Sequence, residues 1–223
     1  MTMSIEPLPS VRERQRFVSP ALSPQALSWH NGALWMGSRD LRRIYGIEVE
    51  TWKVFKDAEA PGIPWAATST GEAICFTVGE GAEDDRYLRR YCSDGDFWTN
   101  DRNACPDFTG SYLSYDGRSV YLSQWYEHRI LKLDANADIL ETYDIGAEIS
   151  GHTFFDGAIY VLRGTEQGDE DWRIARLNPY APSLPVEDVA RVPIQCRSLA
   201  FDGSHFWTNH RAAHEIVCFD LPE

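Results

Sequence analysis

The sequence predicts an all-β fold, a five-bladed β-propeller with four antiparallel strands per blade, on three observations. One segment recurs five times, its turn glycines (Gly32, Gly71, Gly117, Gly157 and Gly203) spaced alternately by about 40 and about 46 residues, the length of one four-stranded blade. Each copy reads as an apolar strand, a tight turn and a second apolar strand. The last copy stops one strand short, while a strand-like segment near the N-terminus belongs to no copy.

In chain order, Arg12 to Ser19 comes first, and residues 1–20 are expected to supply the missing outer strand of the last blade. The whole chain, 1–223, is then a single domain closed by its own N-terminal strand. Closure has a physical reason, because a linear array of sheets leaves its end faces open whereas a ring buries every face against a neighbour. The inner hairpins follow as Leu27 to Met36, the weaker copy Ala66 to Cys75, Leu113 to Leu122, Thr153 to Val161, and Leu199 to Thr208. Four carry an Asn-Gly or Asp-Gly turn, which supplies the positive φ of a tight hairpin, and an aromatic on the second strand: Trp35, Tyr121, Tyr160 and Trp207. Third strands of period two read at Arg43 to Ile47, Arg129 to Asp134, Arg173 to Asn178 and Glu215 to Asp220. Fourth strands read at Thr51 to Phe55, Leu140 to Asp144 and Val189 to Val192. Asn100 to Gly110, with Asp94-Gly95 before it, reads as an irregular outer part of blade two, either a lid or a long connection. A β-sandwich is the competing architecture, and it gives no reason for the missing terminal strand.

Thirty-four acidic against twenty-one basic residues give a net charge of −13, which repels phosphate backbones and anionic lipid, so neither nucleic acid nor membrane is an expected partner. No apolar run approaches the roughly 20 residues of a membrane span, and Met1 to Pro7 lacks a secretory layout, so a cytoplasmic location is expected. Cysteines 75, 92, 105, 196 and 218 form no C-x-x-C pair and read as buried free thiols. The chain has no phosphate-binding loop, dinucleotide glycine fingerprint or G-x-S-x-G elbow, so no cofactor is expected. No local spacing of histidines and carboxylates indicates a metal site.

These strand-Asp-Gly-strand-aromatic copies, with the later Ile-x-x-Leu-Asp type of strand, resemble bacterial propellers of the broad group that contains virginiamycin B lyase, the strictosidine-synthase and SMP-30-like enzymes, NHL repeats and glutaminyl cyclotransferase-like proteins. The resemblance covers nearly the whole chain and implies architecture. That group includes lactonases, lyases, cyclising enzymes and interaction scaffolds. Where SMP-30-like enzymes place carboxylate and amide metal ligands at the inner-strand entrances, this chain has Gln25, Pro64, Ser111, Gly151 and Arg197.

In a propeller the inner strands begin, and the second strands end, at one face around the axis, opposite the Asp-Gly turns. That rule nominates Gln25, Trp65, Tyr112, His152 and Arg197 from the entrances. From the exits it nominates Arg39, Gln124, Trp125, Arg163, Asn209 and Arg211, with His210. The five columns differ from one another, as one axial pocket requires and a repeated site does not. The guanidinium groups of Arg39, Arg163, Arg197 and Arg211 suit a carboxylate or phosphate, unless they serve to pair the acidic runs Glu80 to Asp85 and Glu166 to Asp171. Imidazole titrates near neutral pH, so His152 and His210 are candidate acid/base groups, with Tyr112 beside them, or else hydrogen-bonded structural residues. Trp65, Tyr112 and Trp125 can wall a ligand or simply pack between blades.

The sequence is thus expected to specify a small-molecule enzyme with one axial pocket. It would use acid/base catalysis on a small anionic, carboxylate-bearing metabolite, of the lyase, cyclase or isomerase type. The alternatives are a lectin-like binding propeller and a protein-interaction scaffold, the latter marked by a large exposed apolar patch.

Overall fold

The computed structural model describes residues 7–93, 95–165, 171–181 and 185–222. Met1 to Glu6, Asp94 of the Asp94-Gly95 pair and the acidic residues 166–170 therefore lie outside the described residues. The chain forms five four-stranded antiparallel sheets. Strand β1 (Arg12–Val18) stands apart in sequence from the sheet it joins. Blade one is β2 (Pro24–His30), β3 (Ala33–Ser38), β4 (Arg43–Glu48) and β5 (Lys53–Glu59). Blade two is β6 (Ile63–Ser69), β7 (Ile74–Glu80), β8 (Asp85–Tyr91) and the short β9 (Asn103–Ala104). Blade three is β10 (Leu113–Tyr115), β11 (Val120–Gln124), β12 (Arg129–Leu133) and β13 (Ile139–Asp144). Blade four is β14 (Glu148–Phe155), β15 (Ala158–Thr165), β16 (Asp171–Leu177) and β17 (Glu187–Val192). Blade five is β18 (Cys196–Phe201), β19 (Phe206–His210) and β20 (Glu215–Asp220), completed by β1, which pairs antiparallel with β20 from Arg12↔Asp220 to Val18↔Glu215.

The inner strands β2, β6, β10, β14 and β18 pack in succession, and β18 meets β2 to close the ring. Each junction between blades holds its own apolar cluster. Trp35 and Phe76 anchor the first, Leu88 with Leu122 the second, Tyr121 with Ile149 the third, Trp172 with Phe206 the fourth, and Met36 with Trp207 the fifth. The core is thus five slabs between sheets, which explains why strands β3, β7 and β11 are buried on both faces and read as near-continuous apolar runs.

The hairpin turns come in two sizes. In blades one and four the two-residue turns Asn31-Gly32 and Asp156-Gly157 have positive φ at both positions, the geometry that matches strand twist. In blades three and five the turn has four residues, and its aspartate binds the turn from inside. Asp116 Oδ1 accepts from the N–H groups of Arg118 and Ser119, while Oδ2 accepts from Tyr121 Oη at 3.0 Å. Asp202 repeats the pattern, with Trp207 Nε1 donating to its Oδ2 at 2.7 Å. The aromatic therefore stands five residues after the aspartate in these blades, and its polar tip closes the turn. Burial pushes the Asp116 pKa up, but the hydrogen bonds from Ser119, Tyr180, Arg118 and Tyr121 outweigh it and hold the carboxyl below its usual value. Asp116→Ala leaves Tyr121 Oη without its acceptor and is expected to cost about 2 kcal/mol, in the range of hydrogen bonds to a charged group, read as a lowered urea midpoint with an unchanged slope.

Among the described residues no helix is long and apolar enough to cross a membrane. Cys75, Cys105, Cys196 and Cys218 are buried.

Candidate axial site

The inner strands do not enter the ring straight. In β2 the register skips between Pro24 and Ala26, in β6 between Pro64 and Ala66, in β14 between Ile149 and Gly151, and in β18 between Arg197 and Ala200. Each skip is a β-bulge at the strand's axial entrance, and a bulge re-aims the extra residue. In blades one and two the extra residues are Gln25 and Trp65, and both line one cavity of about 420 Å³ at the mouth of the axis.

All five inner-strand entrances reach that cavity, through Gln25, Trp65, Ser111 with Tyr112, Glu148 and Arg197. Three second-strand exits add Arg39, Trp125 with Tyr126, and Arg211. Gln25 is the hub of the floor. Its Nε2 donates to the Trp65 carbonyl at 3.3 Å and to Tyr112 Oη at 3.2 Å, while its Oε1 accepts from Arg211 Nη1 at 2.6 Å. Arg197 is buried between Trp125 and Trp172, its guanidinium carbon 5.6 Å and 5.3 Å from the two rings, and it donates to the Cys196 carbonyl at 2.7 Å. Burial lowers the Arg197 pKa and Arg211 lowers it further, with Tyr112 and Glu148 opposing; a guanidinium stays charged at ordinary pH. Burial raises the pKa of Tyr112, against Arg197 and Gln25, so its hydroxyl is a proton donor at neutral pH.

Arg86 reaches the cavity from β8, a third strand, by stacking over the Trp65 ring at 4.1 Å. It is held by Asp84 at 2.6 Å and by the Gly110 carbonyl at 3.2 Å. Asp84 Oδ1 also accepts from Trp65 Nε1 at 3.2 Å, so one carboxylate fixes both partners of the stack. Arg39 lies 5.8 Å from the same ring and pairs with Asp40.

Seven of the residues nominated from sequence meet at this cavity: Gln25, Arg39, Trp65, Tyr112, Trp125, Arg197 and Arg211. The others do not line it. His152 lies mid-strand in β14, buried within the axis, its Nδ1 2.8 Å from Ser114 Oγ and its Nε2 without a hydrogen-bond partner. Burial pushes its pKa down to about 3, with the Tyr112 backbone opposing, so it stays neutral at ordinary pH. His210 turns to the closing strand, its Nδ1 3.3 Å from Arg16 Nη1 and 3.4 Å from Glu215 Oε2. The expectation that the two histidines share the axial mouth is therefore corrected. Asn209 Nδ2 instead ties blade five to blade one through the Gln25 carbonyl at 3.0 Å. Arg163 is spent on Asp188 at 2.7 Å and on the Ile145 carbonyl at 2.9 Å. Gln124 donates to Thr109 Oγ1 at 2.7 Å and accepts from Arg129 Nε at 2.6 Å, bracing residues 106–109.

Sequence reasoning missed Arg86, Tyr126 and Glu148. Glu148 had a signal available, because β14 and β15 each have eight residues. The longer hairpin puts the entrance of blade four at Glu148, four residues before the histidine assigned to it. Arg86 had none, since it reaches the axis over an aromatic ring from an outer strand.

Among the described residues no group of three His, Cys, Asp or Glu side chains is arranged to hold a metal ion. No family model and no curated protein matches the chain. The fold does match solved structures. A glutaminyl cyclase from Myxococcus xanthus is similar with a TM-score of 0.74 at 11% identity, over 98% of this chain and 100% of that one. An aldose sugar dehydrogenase from Streptomyces coelicolor, bound to PQQ, gives 0.60 at 12% identity over 96% and 98% of the two chains. A virginiamycin B lyase from Staphylococcus aureus gives 0.54 at 14% identity over 93% and 99%. At these identities the likeness shows the propeller fold, and the number of blades is read from this chain's own five sheets.

Proposed function

We propose that the chain is a small-molecule enzyme that binds one carboxylate- or phosphate-bearing metabolite in the axial cavity and transforms it by proton transfer, as a cyclase, lyase or isomerase. One observation carries this reading. Four guanidinium groups, those of Arg39, Arg86, Arg197 and Arg211, line a cavity together with the carboxylate of Glu148, and even with Asp40 paired to Arg39 and Asp84 to Arg86 the described residues leave positive charge in excess there, in a chain of net charge −13. A local positive funnel in a negative surface admits a small anion and turns away polyanions. The aromatic walls Trp65, Tyr112 and Trp125 suit the apolar part of such a ligand.

With the histidines elsewhere, the proton-moving roles fall to Tyr112 and Glu148. Glu148 accepts a proton from the substrate, Tyr112 Oη delivers one to the departing or developing oxyanion, and Arg197 and Arg211 hold the charge that builds up. The buried Gln25 bridge to both Tyr112 and Arg211 keeps donor and cation in fixed relation.

Calorimetric titration with di- and tricarboxylates and phosphate monoesters at low salt tests the reading. One site per chain is expected, weakened about 30-fold by Arg197→Ala or Arg211→Ala, the equivalent of about 2 kcal/mol for a lost charge pair. For any acid that turns over, Tyr112→Phe is expected to lower kcat by about a hundredfold or more while leaving affinity in place. Several equivalent sites, or binding indifferent to both arginines, rules the proposal out.

A further inference from the structure

A second compartment opens beside the axial cavity, between blades two and three. This groove, about 270 Å³, shares Arg86, Ser111, Trp125 and Tyr126 with the axial cavity and so continues it past the Trp125 indole. Its character is different. Phe108 and Tyr126 line it while remaining 49% and 91% exposed, and the charges along it are Glu83, Asp84 and Glu127, with Arg86 at the shared wall. The groove is built, because its outer lip is pinned. Gln124 donates to Thr109 Oγ1 and to the Pro106 carbonyl, the Cys105 N–H donates to the Arg86 carbonyl, and Phe108 packs edge-on against Tyr87 at 5.9 Å. Within Asn100 to Gly110, the segment that the sequence leaves open between lid and connection, residues 103–109 thus form a pinned wall of the trough.

From the change of charge along one continuous surface, we infer that the ligand is elongated and dipolar. Its anionic end sits among the arginines of the axial cavity, and an apolar stem crosses Trp125 to a cationic end facing Glu83 and Glu127. Both of these carboxylates are exposed, whereas Asp84 is committed to Arg86 and Trp65. Two exposed aromatic side chains over a trough with acidic walls suit an alkyl or aryl stem ending in an amine, since ring faces attract both apolar surface and cations. The inference rests on the anion-binding reading of the axial cavity and adds the class of molecule that fills it.

The probes are ω-amino carboxylic acids of increasing length, from 4-aminobutanoate to 12-aminododecanoate, each paired with the carboxylate of equal length that lacks the amine. Affinity is expected to rise about tenfold or more from the short to the long amino acids, as stem methylenes leave water and the amine meets its carboxylates, and to rise less for the amine-free series. Phe108→Ala with Glu127→Gln, two positions outside the axial cavity, is expected to erase that rise and leave binding of 4-aminobutanoate unchanged. A melting temperature held by the double variant excludes a folding defect. If short and long amino acids bind equally, or the double variant weakens both alike, the groove is not a subsite and this inference fails while the axial reading stands. If none of these acids binds while a di- or tricarboxylate or a phosphate monoester does, the inference fails alone; if none of those binds either, the axial reading fails and takes the inference with it.

Discussion

A chain beginning at Pro20, without β1, is expected to lose at least about 5 kcal/mol of stability, which is the whole margin of many domains. Three contributions add in the same direction. The six paired positions of β1 and β20 give up backbone hydrogen bonds worth roughly 1 kcal/mol each. Phe17, stacked on Trp52 at 3.9 Å and lying 6.1 Å from Trp207, vanishes from the junction of blades five and one, a loss of about 2 kcal/mol for a partly buried aromatic. Trp52 Nε1 loses the Val18 carbonyl it donates to at 2.8 Å. The segment also spans a second seam, since Arg191 donates its N–H to the Pro9 carbonyl and Val11 donates its own to the Arg191 carbonyl, linking β17 of blade four. The ion pairs of Arg12 and Arg14 with Asp220 and of Arg16 with Glu215 are exposed enough to contribute little. Chemical denaturation of the truncated chain measures the effect, and a synthetic peptide covering 7–19 is expected to restore part of it. Stability within about 1 kcal/mol of the full chain indicates that ring closure is not what holds the fold.

That strand was legible in the sequence because a propeller has an accounting rule: every blade needs four strands, and the last visible copy had three. The turn glycines were legible because positive φ leaves few alternatives. Side-chain direction at the axis was not legible. It depends on bulges that add a residue just where the inner strands enter, and a bulge has no dependable residue signature. Gln25 and Trp65 were assigned to the mouth by position and reach it as bulge residues. Arg163 was assigned by the same rule and faces Asp188 instead, because the second strand of blade four has eight residues against six in blade one and five in blade three. At the end of β19 the alternation of a strand decides the outcome. Asn209 faces blade one, and its neighbour His210 faces the closing strand.

Acid is expected to weaken the fold through one buried neutral group, His152. Its unfolded pKa is near 6.5 and its folded value is pushed down to about 3 by burial. Below pH 6.5 the unfolded chain takes up a proton that the folded chain refuses, so stability is complete above that pH and falls as pH drops toward the folded value. Between pH 7 and pH 5 the loss from His152 alone is about 2 kcal/mol, roughly 4–8 °C in melting temperature for a chain of this size. His30, depressed in the same direction by burial, adds to the slope in the native chain and remains in the comparison. His152→Gln keeps a polar group near Ser114 Oγ and removes the titration. It is expected to be less stable than the native chain at pH 7 and to close most of that gap at pH 5. A gap of equal size at both pH values shows instead that His152 carries its proton inside the ring. It would then return as a cation beneath Tyr112, and the assignment of proton transfer to Tyr112 and Glu148 would have to be redrawn around it.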